Sequence, residues 1–381
     1  MGVEEVSPLS SEFIEVPSLI YKNQPNFTPS RLFEKIVLDR RKNPWLKNRQ
    51  LNAFIFNKNR EIAGRIAIAY IPGEEGRIGF FDAADYESAR SLLLHAEKIL
   101  KENKVKLVEG PVNFGPRNLF WGCLHTALHP VLMGMNFHLP FMSSLFSENG
   151  YIEYFRGYVY YRSTSVNLPQ KAFFFANNVK ASYPDLSLKN YNPALKNKFV
   201  SDFVHIYNLA WRHFPDFKPI SEEEVLSQMN SFLGYFIEPD ATFFIYNRDE
   251  PIGFILFVKN YSEILPQVQM SVSFSKLMTS SITLIKLLTR KIKTRTLLGI
   301  AIGIVPAYRN KGIESLFFEK LYENFYGKGI YEGLYLSWIG SFYPSYNNLL
   351  KNLGCEPVHI YITYRKALAE GVTITPHQIF Y

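Results

Sequence analysis

The residues best suited to chemistry stand in one segment: Ile300-Ala301-Ile302-Gly303-Ile304-Val305-Pro306-Ala307-Tyr308-Arg309-Asn310-Lys311-Gly312-Ile313-Glu314-Ser315. An apolar run fit for a strand enters a basic turn that contains a glycine. The turn then opens a stretch with helical spacing. At such a junction the first N–H groups of the helix have no intrahelical partners, and the helix dipole favours negative charge there. Successive outward N–H groups suit a pyrophosphate. The candidate binding set is Ile304, Val305, Arg309, Asn310, Lys311, Gly312, Ile313, Glu314 and Ser315. Arg309 and Lys311 bring positive charge, and Gly312 removes a side chain where a ligand approaches the backbone. Glu314 opposes them. A carboxylate within about 5 Å of a pyrophosphate is repelled by roughly 1–3 kcal/mol at an effective dielectric of ~20–80. Turned away, it leaves a working backbone site; folded in, it weakens or abolishes binding.

Other chemical groupings are thinner. His125 and His129 stand four apart beside Cys123, a metal-like spacing if the segment is helical. Position 126 is Thr126 and no third ligand is evident, so no metal is expected. The chain shows no Walker sequence, no dinucleotide Gly-x-Gly-x-x-Gly, and no local Ser-His-Asp or Cys-His grouping. Lys286, Arg290, Lys291, Lys293 and Arg295 form a basic run after the apolar-leaning segment Leu277 to Ile285.

The elements that hold these residues occur twice. Phe54-Ile55-Phe56-Asn57, a polar turn, Glu61, Gly64 and Ile66-Ala67-Ile68 read as a hairpin. Phe244-Ile245-Tyr246-Asn247, a turn, Glu250, Gly253 and Ile255-Leu256-Phe257 read as another, half a chain later. Gly150-Tyr151 leads to Tyr158-Val159-Tyr160-Tyr161-Arg162, as Gly354-Cys355 leads to Tyr361-Ile362-Thr363-Tyr364-Arg365. Matched segments in the same order indicate two copies of one α/β fold. The boundary falls near 165, giving copies 1–165 and 166–381. In the first copy, strands near 51–57 and 60–71 precede a helix from Tyr86 to Lys104 with Ala89, Leu92, Leu93, Ala96 and Leu100 on one face. In the second, a helix near 193–211, strands at 242–247, 251–259 and 295–305, and a helix near 310–326 lead to a strand, a helix and a closing strand at 358–366. Leu316, Phe317 and Leu321 are expected to face the sheet.

The chain has 381 residues, of which 47% are apolar and 20% charged, so each copy can bury a core. Lys plus Arg exceed Asp plus Glu by 42 to 34, and the net charge of +8 favours anionic partners. Aromatic residues reach 16%, enough for a core or for a groove around an extended apolar ligand. Cys123 and Cys355 form no disulfide framework and fit a reducing cytoplasm, and the acidic first residues carry no signal-peptide pattern. No stretch reaches the ~18 apolar residues of a membrane helix.

With these residues in view, the chain resembles the GNAT superfamily of N-acyltransferases. Their acyl-CoA loop reads Arg/Gln-x-x-Gly-x-Gly/Ala after a strand ending near Pro-x-Tyr-Arg. Arg309-Asn310-Lys311-Gly312-Ile313-Glu314 matches the first two fixed positions, and Glu314 replaces the small third one. Downstream, Leu334 to Trp338, a helix and Leu353-Gly354 follow the GNAT order, so the match covers roughly 185–366. The whole chain resembles a bacterial branch with two GNAT folds in tandem. Gly110-Pro111-Val112-Asn113-Phe114, Tyr207-Asn208-Leu209-Ala210-Trp211, Leu287 to Lys293 and Pro306-Ala307-Tyr308-Arg309 carry this likeness.

The resemblance implies an α/β mixed-sheet fold and transfer of an acyl group from acetyl-CoA or another acyl-CoA to an amine. It implies a tyrosine acid on the helix after the fifth strand. That position falls at Leu350, so Tyr343 and Tyr346 nearby become the candidate catalytic residues. No carboxylate stands on 295–305 to act as base. The basic run of 286–295 reads as an inserted lip that holds the CoA 3′-phosphate, an acidic membrane surface or RNA. In the N-terminal copy, Asp82-Ala83-Ala84-Asp85-Tyr86-Glu87 falls where the phosphate loop would be, so that copy reads as degenerate. The alternatives are aminoacyl transfer from a charged tRNA, as in tandem-GNAT peptidoglycan-bridge enzymes, and a non-catalytic binding protein. A DNA partner is not expected.

Overall fold

Two polar turns set the frame. Asn59 and Arg60 take positive φ values of 54° and 68° and reverse the chain between β2 (Gln50–Lys58) and β3 (Glu61–Tyr70). Arg248, at φ 55°, does the same between β9 (Phe243–Asn247) and β10 (Glu250–Lys259). Left-handed pairs of this kind match the twist of the strands they join. The computed structural model describes residues 2–115, 117, 119–212, 217–230, 232–264 and 293–380. Leu277 to Ile285, Lys286, Arg290 and Lys291, with most of the basic run, lie outside the described residues.

The element order repeats. The first copy runs β1 (Gly2–Val6), helices α1 (Ser11–Ile14), α2 (Val16–Ile20) and α3 (Arg31–Leu38), then β2 and β3. It continues through β4 (Glu75–Ala83), α4 (Tyr86–Glu102), β5 (Leu107–Gly110), β6 (Cys123–Ala127), α5 (Phe141–Glu148) and β7 (Ile152–Ser163). After α6 (Gln170–Ser182) the second copy runs β8 (Leu186–Asn190), α7 (Lys196–Trp211), α8 (Glu222–Asn230), β9 and β10. It ends with β11 (Thr296–Ile304), α9 (Glu314–Phe325), β12 (Gly333–Gly340), α10 (Pro344–Asn352) and β13 (Glu356–Ala367). In the described part of the second copy, β6 with its flanking chain and one of the three helices before β2 lack a counterpart.

The chain divides into two compact units. Unit 1 comprises Met1–Val159, Trp338–Asn347 and Pro357–Tyr381; unit 2 comprises Tyr160–Ser337 and Asn348–Glu356. In unit 1 the antiparallel run β1-β2-β3-β4 is followed by β5, parallel to β4. The helix α4 buries Ala89, Leu92, Leu93, Ala96 and Leu100 completely on one face of this sheet, as their spacing predicts. Phe13, Ile14, Val37 and Leu38 cover the other face. There the fully buried Arg65 donates to both oxygens of Glu34 at 2.9 Å, to Asp82 at 2.7 Å and to the Phe13 carbonyl at 3.0 Å. A buried guanidinium is tolerable because every partner is in place.

The C-terminal strand does not close the sheet of the chain around it in sequence. β13 pairs antiparallel with β5, Tyr364 opposite Gly110 and Arg365 opposite Glu109. The outer edge of β5 presents N–H and C=O groups that need a partner, and the long alternating β13 supplies one. The Arg365 guanidinium meets Glu109 across this pair, with Nε at 2.7 Å.

In unit 2 the antiparallel run is β8-β9-β10-β11, with β12 parallel to β11. On α9, Leu316, Phe317 and Leu321 are buried. Phe317 packs on β10, its Cζ 3.6 Å from where a side chain at Gly253 would begin. Replacing Phe317 by Ala is expected to cost about 3–5 kcal/mol.

The helical condition on the His125–His129 spacing is not met. The segment with His125 is strand, not helix, and His129 lies beyond it. Four residues along a strand span roughly 13 Å, so the helical metal spacing does not arise. The His129 carbonyl instead accepts from His359 Nε2 at 2.9 Å. The strand β4, missed in the sequence, carries two glycines and an arginine that dilute its apolar alternation.

Candidate functional site: an opened pair of parallel strands

The site in unit 2 starts where β11 and β12 part. Their parallel pairing runs from Thr296–Gly333 to Gly299–Leu336 and then stops. β11 stays paired to β10 as far as Ile304. Beyond Gly299, the N–H and C=O groups of β11 that point away from β10 therefore face a notch. Ile300 is 40% exposed in the middle of its strand, which is unusual for an interior strand and marks the opening. An extended ligand with amide groups can add to such an edge as another strand would.

The end of β11 is built by the residues singled out in the sequence. Val305 N–H donates to the Ile252 carbonyl at 2.9 Å, and Pro306–Tyr308 forms one short 3-10 turn. Tyr308 is anchored by Asn247, whose amide donates to its hydroxyl at 2.6 Å. Arg309 folds back: its Nε donates to the Ile304 carbonyl at 3.2 Å, and its terminal nitrogen donates to the Ala210 carbonyl of α7. Its charge is thus used to fasten the turn to α7. Lys311 is exposed and lies over the rings of Tyr308, at 5.1 Å, and Tyr183, at 5.6 Å.

Asn310 and Gly312 both take positive φ, 59° and 74°. A side chain at Gly312 would meet only Val179, at 3.7 Å, so the glycine is required by its backbone angle and not by crowding. Ile313 is fully buried and starts the helix. The Ser315 N–H and hydroxyl both bond the Gly312 carbonyl, at 3.0 and 2.6 Å, which removes Ser315 from the set of outward donors. Glu314 is half-buried beside its own backbone N–H at the helix start. Burial pushes its pKa up, and that N–H partly opposes the shift. A carboxyl group thus stands at the start of α9, directly after the Arg309–Gly312 turn.

The wall beside this turn is α7. Phe199, Phe203, Tyr207 and Trp211 recur every four residues and form one aromatic stripe. Phe203 packs on Phe254 with centroids 4.7 Å apart, and Tyr207 stacks on Trp211 at 4.8 Å. A side chain at Gly303 would come within 2.8 Å of both Trp211 and Phe254, so glycine there lets the indole lie against β11. Asn208 clamps the following loop by exchanging two 2.9 Å hydrogen bonds with Ile220. The Tyr-Asn-x-Ala-Trp block is therefore the support of the turn, with Ala210 contributing through its carbonyl.

Tyr343 and Tyr346 belong to unit 1, whereas Arg309 to Ser315 belong to unit 2. Tyr343 stacks on Phe380 at 5.5 Å and leans on Phe342 at 4.7 Å. Leu350 is fully buried. Of the basic run, Lys293 and Arg295 are described: Lys293 is exposed, and Arg295 is spent on Glu332, Nε to Oε1 at 2.8 Å and its terminal nitrogen to Oε2 at 2.7 Å.

In unit 1 the corresponding strands, β4 and β5, pair only from Glu75–Leu107 to Arg77–Glu109. Here the chain fills its own notch. Val112 N–H donates to the Ile78 carbonyl at 2.8 Å, and the Val112 carbonyl lies 2.0 Å from where a Gly79 side chain would start. The helix start behind it is capped by Asp85, which accepts the Ser88 N–H at 2.9 Å, and Lys58 bridges Asp85 and Glu87. This copy offers neither a slot nor an uncapped helix start. Among the described residues no cluster of His, Cys, Asp and Glu is placed to hold a metal, and no helix is long and apolar enough to cross a membrane.

A splayed parallel strand pair, a four-stranded antiparallel run and a helix starting at the notch, all present twice in order, define the tandem GNAT fold. Over 97% of this chain and 99% of the other, the structure superposes on a tandem GNAT protein from the clavulanic acid biosynthesis pathway, with TM-score 0.50 and 8% identity. It is similar to the GCN5-related glucosamine N-acetyltransferase region of a fungal multi-domain GH3 beta-N-acetylglucosaminidase, with TM-score 0.51 and 11% identity over 96% of this chain and 38% of that one. In sequence the chain is 22% identical to Protein YghO of Escherichia coli (strain K12) over 372 residues, 93% of this chain and 92% of that one. No protein-family model matches.

Proposed function

We propose that the protein transfers an acyl group from acetyl-CoA or another acyl-CoA to an amine, in the notch of the second copy. In this reading the copies are 1–165 and 166–381, and the first is a degenerate support. The observation that carries the reading is the parting of β11 and β12 after Gly299 and Leu336 directly before the Arg309–Ser315 turn. The pantetheine amides would run along Ile300–Ile304 and the pyrophosphate would lie on the turn. The amine nitrogen attacks the thioester carbonyl, the C–N bond forms, the C–S bond breaks, and the thiolate takes a proton. Backbone N–H groups of the β11 edge suit the developing oxyanion. Tyr343 and Tyr346 stay the candidate acids for the thiolate, since the Leu350 side chain has no acidic proton. The ammonium proton leaves through water, because β11 has no carboxylate.

Titration calorimetry with acetyl-CoA and with a long-chain acyl-CoA tests this. Saturable binding that weakens in Gly312→Val supports it. Binding of neither ligand, by the wild type or by Glu314→Gly, overturns it. A second reading, aminoacyl transfer from charged tRNA, draws on Glu314, whose carboxylate sits at the phosphate turn. A thermal shift with tRNA and none with CoA ligands would select it. A shift with neither would select the non-catalytic reading.

A further inference from the structure

Unit 1 carries a chain of alternating guanidinium and indole groups. Arg49 lies 3.8 Å over the Trp45 ring and Arg77 lies 4.5 Å over the same ring. Arg77 also lies 4.8 Å from the Trp121 ring, and Arg117 lies 5.7 Å from it. Among the described residues, none of these three arginines forms an ion pair, whereas Arg365 nearby takes Glu109. Glu74 and Glu75 act on Arg49 only at longer range. Arg77 spends one nitrogen on the carbonyls of Asn113 and Gly115, at 3.3 and 3.0 Å. Arg117 spends one on His377 Nε2 at 3.0 Å, while His377 Nδ1 donates to the Gln378 carbonyl. A second, independent feature is the indole N–H of Trp121. It is buried and bonded to nothing among the described residues. An indole nitrogen can only donate, and a buried donor without an acceptor is costly.

We propose that Arg77, Arg117 and the Trp121 indole form an anion site in unit 1 that takes a phosphate group. The grouping offers donors and two positive charges whose present acceptors are two carbonyls and a histidine nitrogen, with no carboxylate among the described residues bonded to either guanidinium, which fits a dianionic tetrahedral oxyanion better than a single carboxylate. Burial, together with Arg117 and Arg49, holds Arg77 down at about 10 against the opposing pull of Glu109, so the site is still fully cationic at neutral pH. The phosphate is either free, as inorganic phosphate or a small monoester, or the headgroup of a phosphomonoester lipid. The site lies in the copy whose notch is plugged, and it stands or falls separately from acyl transfer in the second copy.

The test uses the full chain and reads calorimetry and tryptophan fluorescence. Inorganic phosphate, glycerol 3-phosphate and acetate are titrated, and sedimentation with phosphatidic acid–phosphatidylcholine vesicles is compared with pure phosphatidylcholine vesicles. Expected are a phosphate affinity at least tenfold above that for acetate, a tenfold or greater loss in Arg117→Gln, and a several-fold loss in Trp121→Phe, which keeps the ring and removes the N–H. Binding to phosphatidic acid vesicles alone, lost in Arg117→Gln, supports the site and names the lipid as source. Circular dichroism verifies that each variant is folded, and Trp121→Phe keeps the test open if Arg117→Gln is not. Wild-type protein that binds neither phosphate source overturns the proposal, as does binding unchanged in both variants.

Discussion

The Arg309 guanidinium donates to the backbone carbonyl of Ala210, joining the end of α7 to the turn before α9. One residue expected to meet an anion is thereby spent on the shape of the site. A lysine has no planar fork to reach two carbonyls at once. Arg309→Ala and Arg309→Lys are both expected to lower unfolding stability by about 1–3 kcal/mol, in the range of lost hydrogen bonds from a charged donor. Urea denaturation measures it; a loss under about 0.5 kcal/mol in both would show that the two carbonyl bonds contribute little.

Gly312 separates two explanations of the turn. Its φ of 74° suits Asn far better than a β-branched residue, and space is available for either. Gly312→Asn is expected to keep acyl-CoA binding within about threefold, while Gly312→Val loses it and costs roughly 1–3 kcal/mol of stability. Equal loss in both would mean that ligand approach, not backbone angle, demands the glycine.

Glu314→Gln removes the charge at the helix start and is expected to tighten CoA binding about five- to thirty-fold, the conversion of roughly 1–2 kcal/mol of relieved repulsion. The carboxyl has its pKa raised in the folded state, so its folded form favours the proton. The stability linked to it is fully present below the ordinary carboxylate range and falls as pH rises through the folded value. The wild type should therefore gain CoA affinity on acidification toward that range, and Glu314→Gln should not. Calorimetry at stepped pH compares the two slopes, and parallel slopes would count against an effect of this carboxylate.

The plug in unit 1 rests on Gly79. A methyl there would begin 2.0 Å from the Val112 carbonyl, so backbone must move. Gly79→Ala is expected to destabilise the protein by ~1–3 kcal/mol or more through overpacking. Amide exchange should quicken at Val112, whose N–H bonds Ile78. Unchanged protection at Val112 would show that this contact yields without consequence.

His138 supplies a pH test. It is buried, its Nδ1 accepts the Leu124 N–H at 3.0 Å, and burial pulls its pKa down to about 3. The unfolded chain binds the proton more readily, so this residue's contribution is present above the ordinary histidine value near 6.5 and is lost as pH falls toward 3. The drop is of the order of 3–5 kcal/mol. His138→Asn keeps an acceptor and cannot titrate. Its stability should fall less steeply between pH 6 and pH 4 in denaturant melts, after ~1–3 kcal/mol is lost at neutral pH to the smaller side chain.

The sequence alone determined the elements whose reasons are local. The hairpins at Asn57 and Asn247, the apolar faces of α4 and α9, and the strand–turn–helix at Arg309 to Ser315 depend on residues a few positions apart, where periodicity and turn chemistry act directly. The doubled order of those elements was legible for the same reason. Tertiary structure alone decided that β13 joins β5, because a ladder between residues about 250 positions apart leaves no local pattern in either strand. It also decided that Arg309 serves Ala210 and that Val112 fills the first notch. Rotamer and backbone direction follow from what packs alongside. Arg117 and Trp121 stand close in sequence and Arg77 far before them; only the fold lays both guanidiniums against one indole, at 4.8 and 5.7 Å, whose N–H is buried.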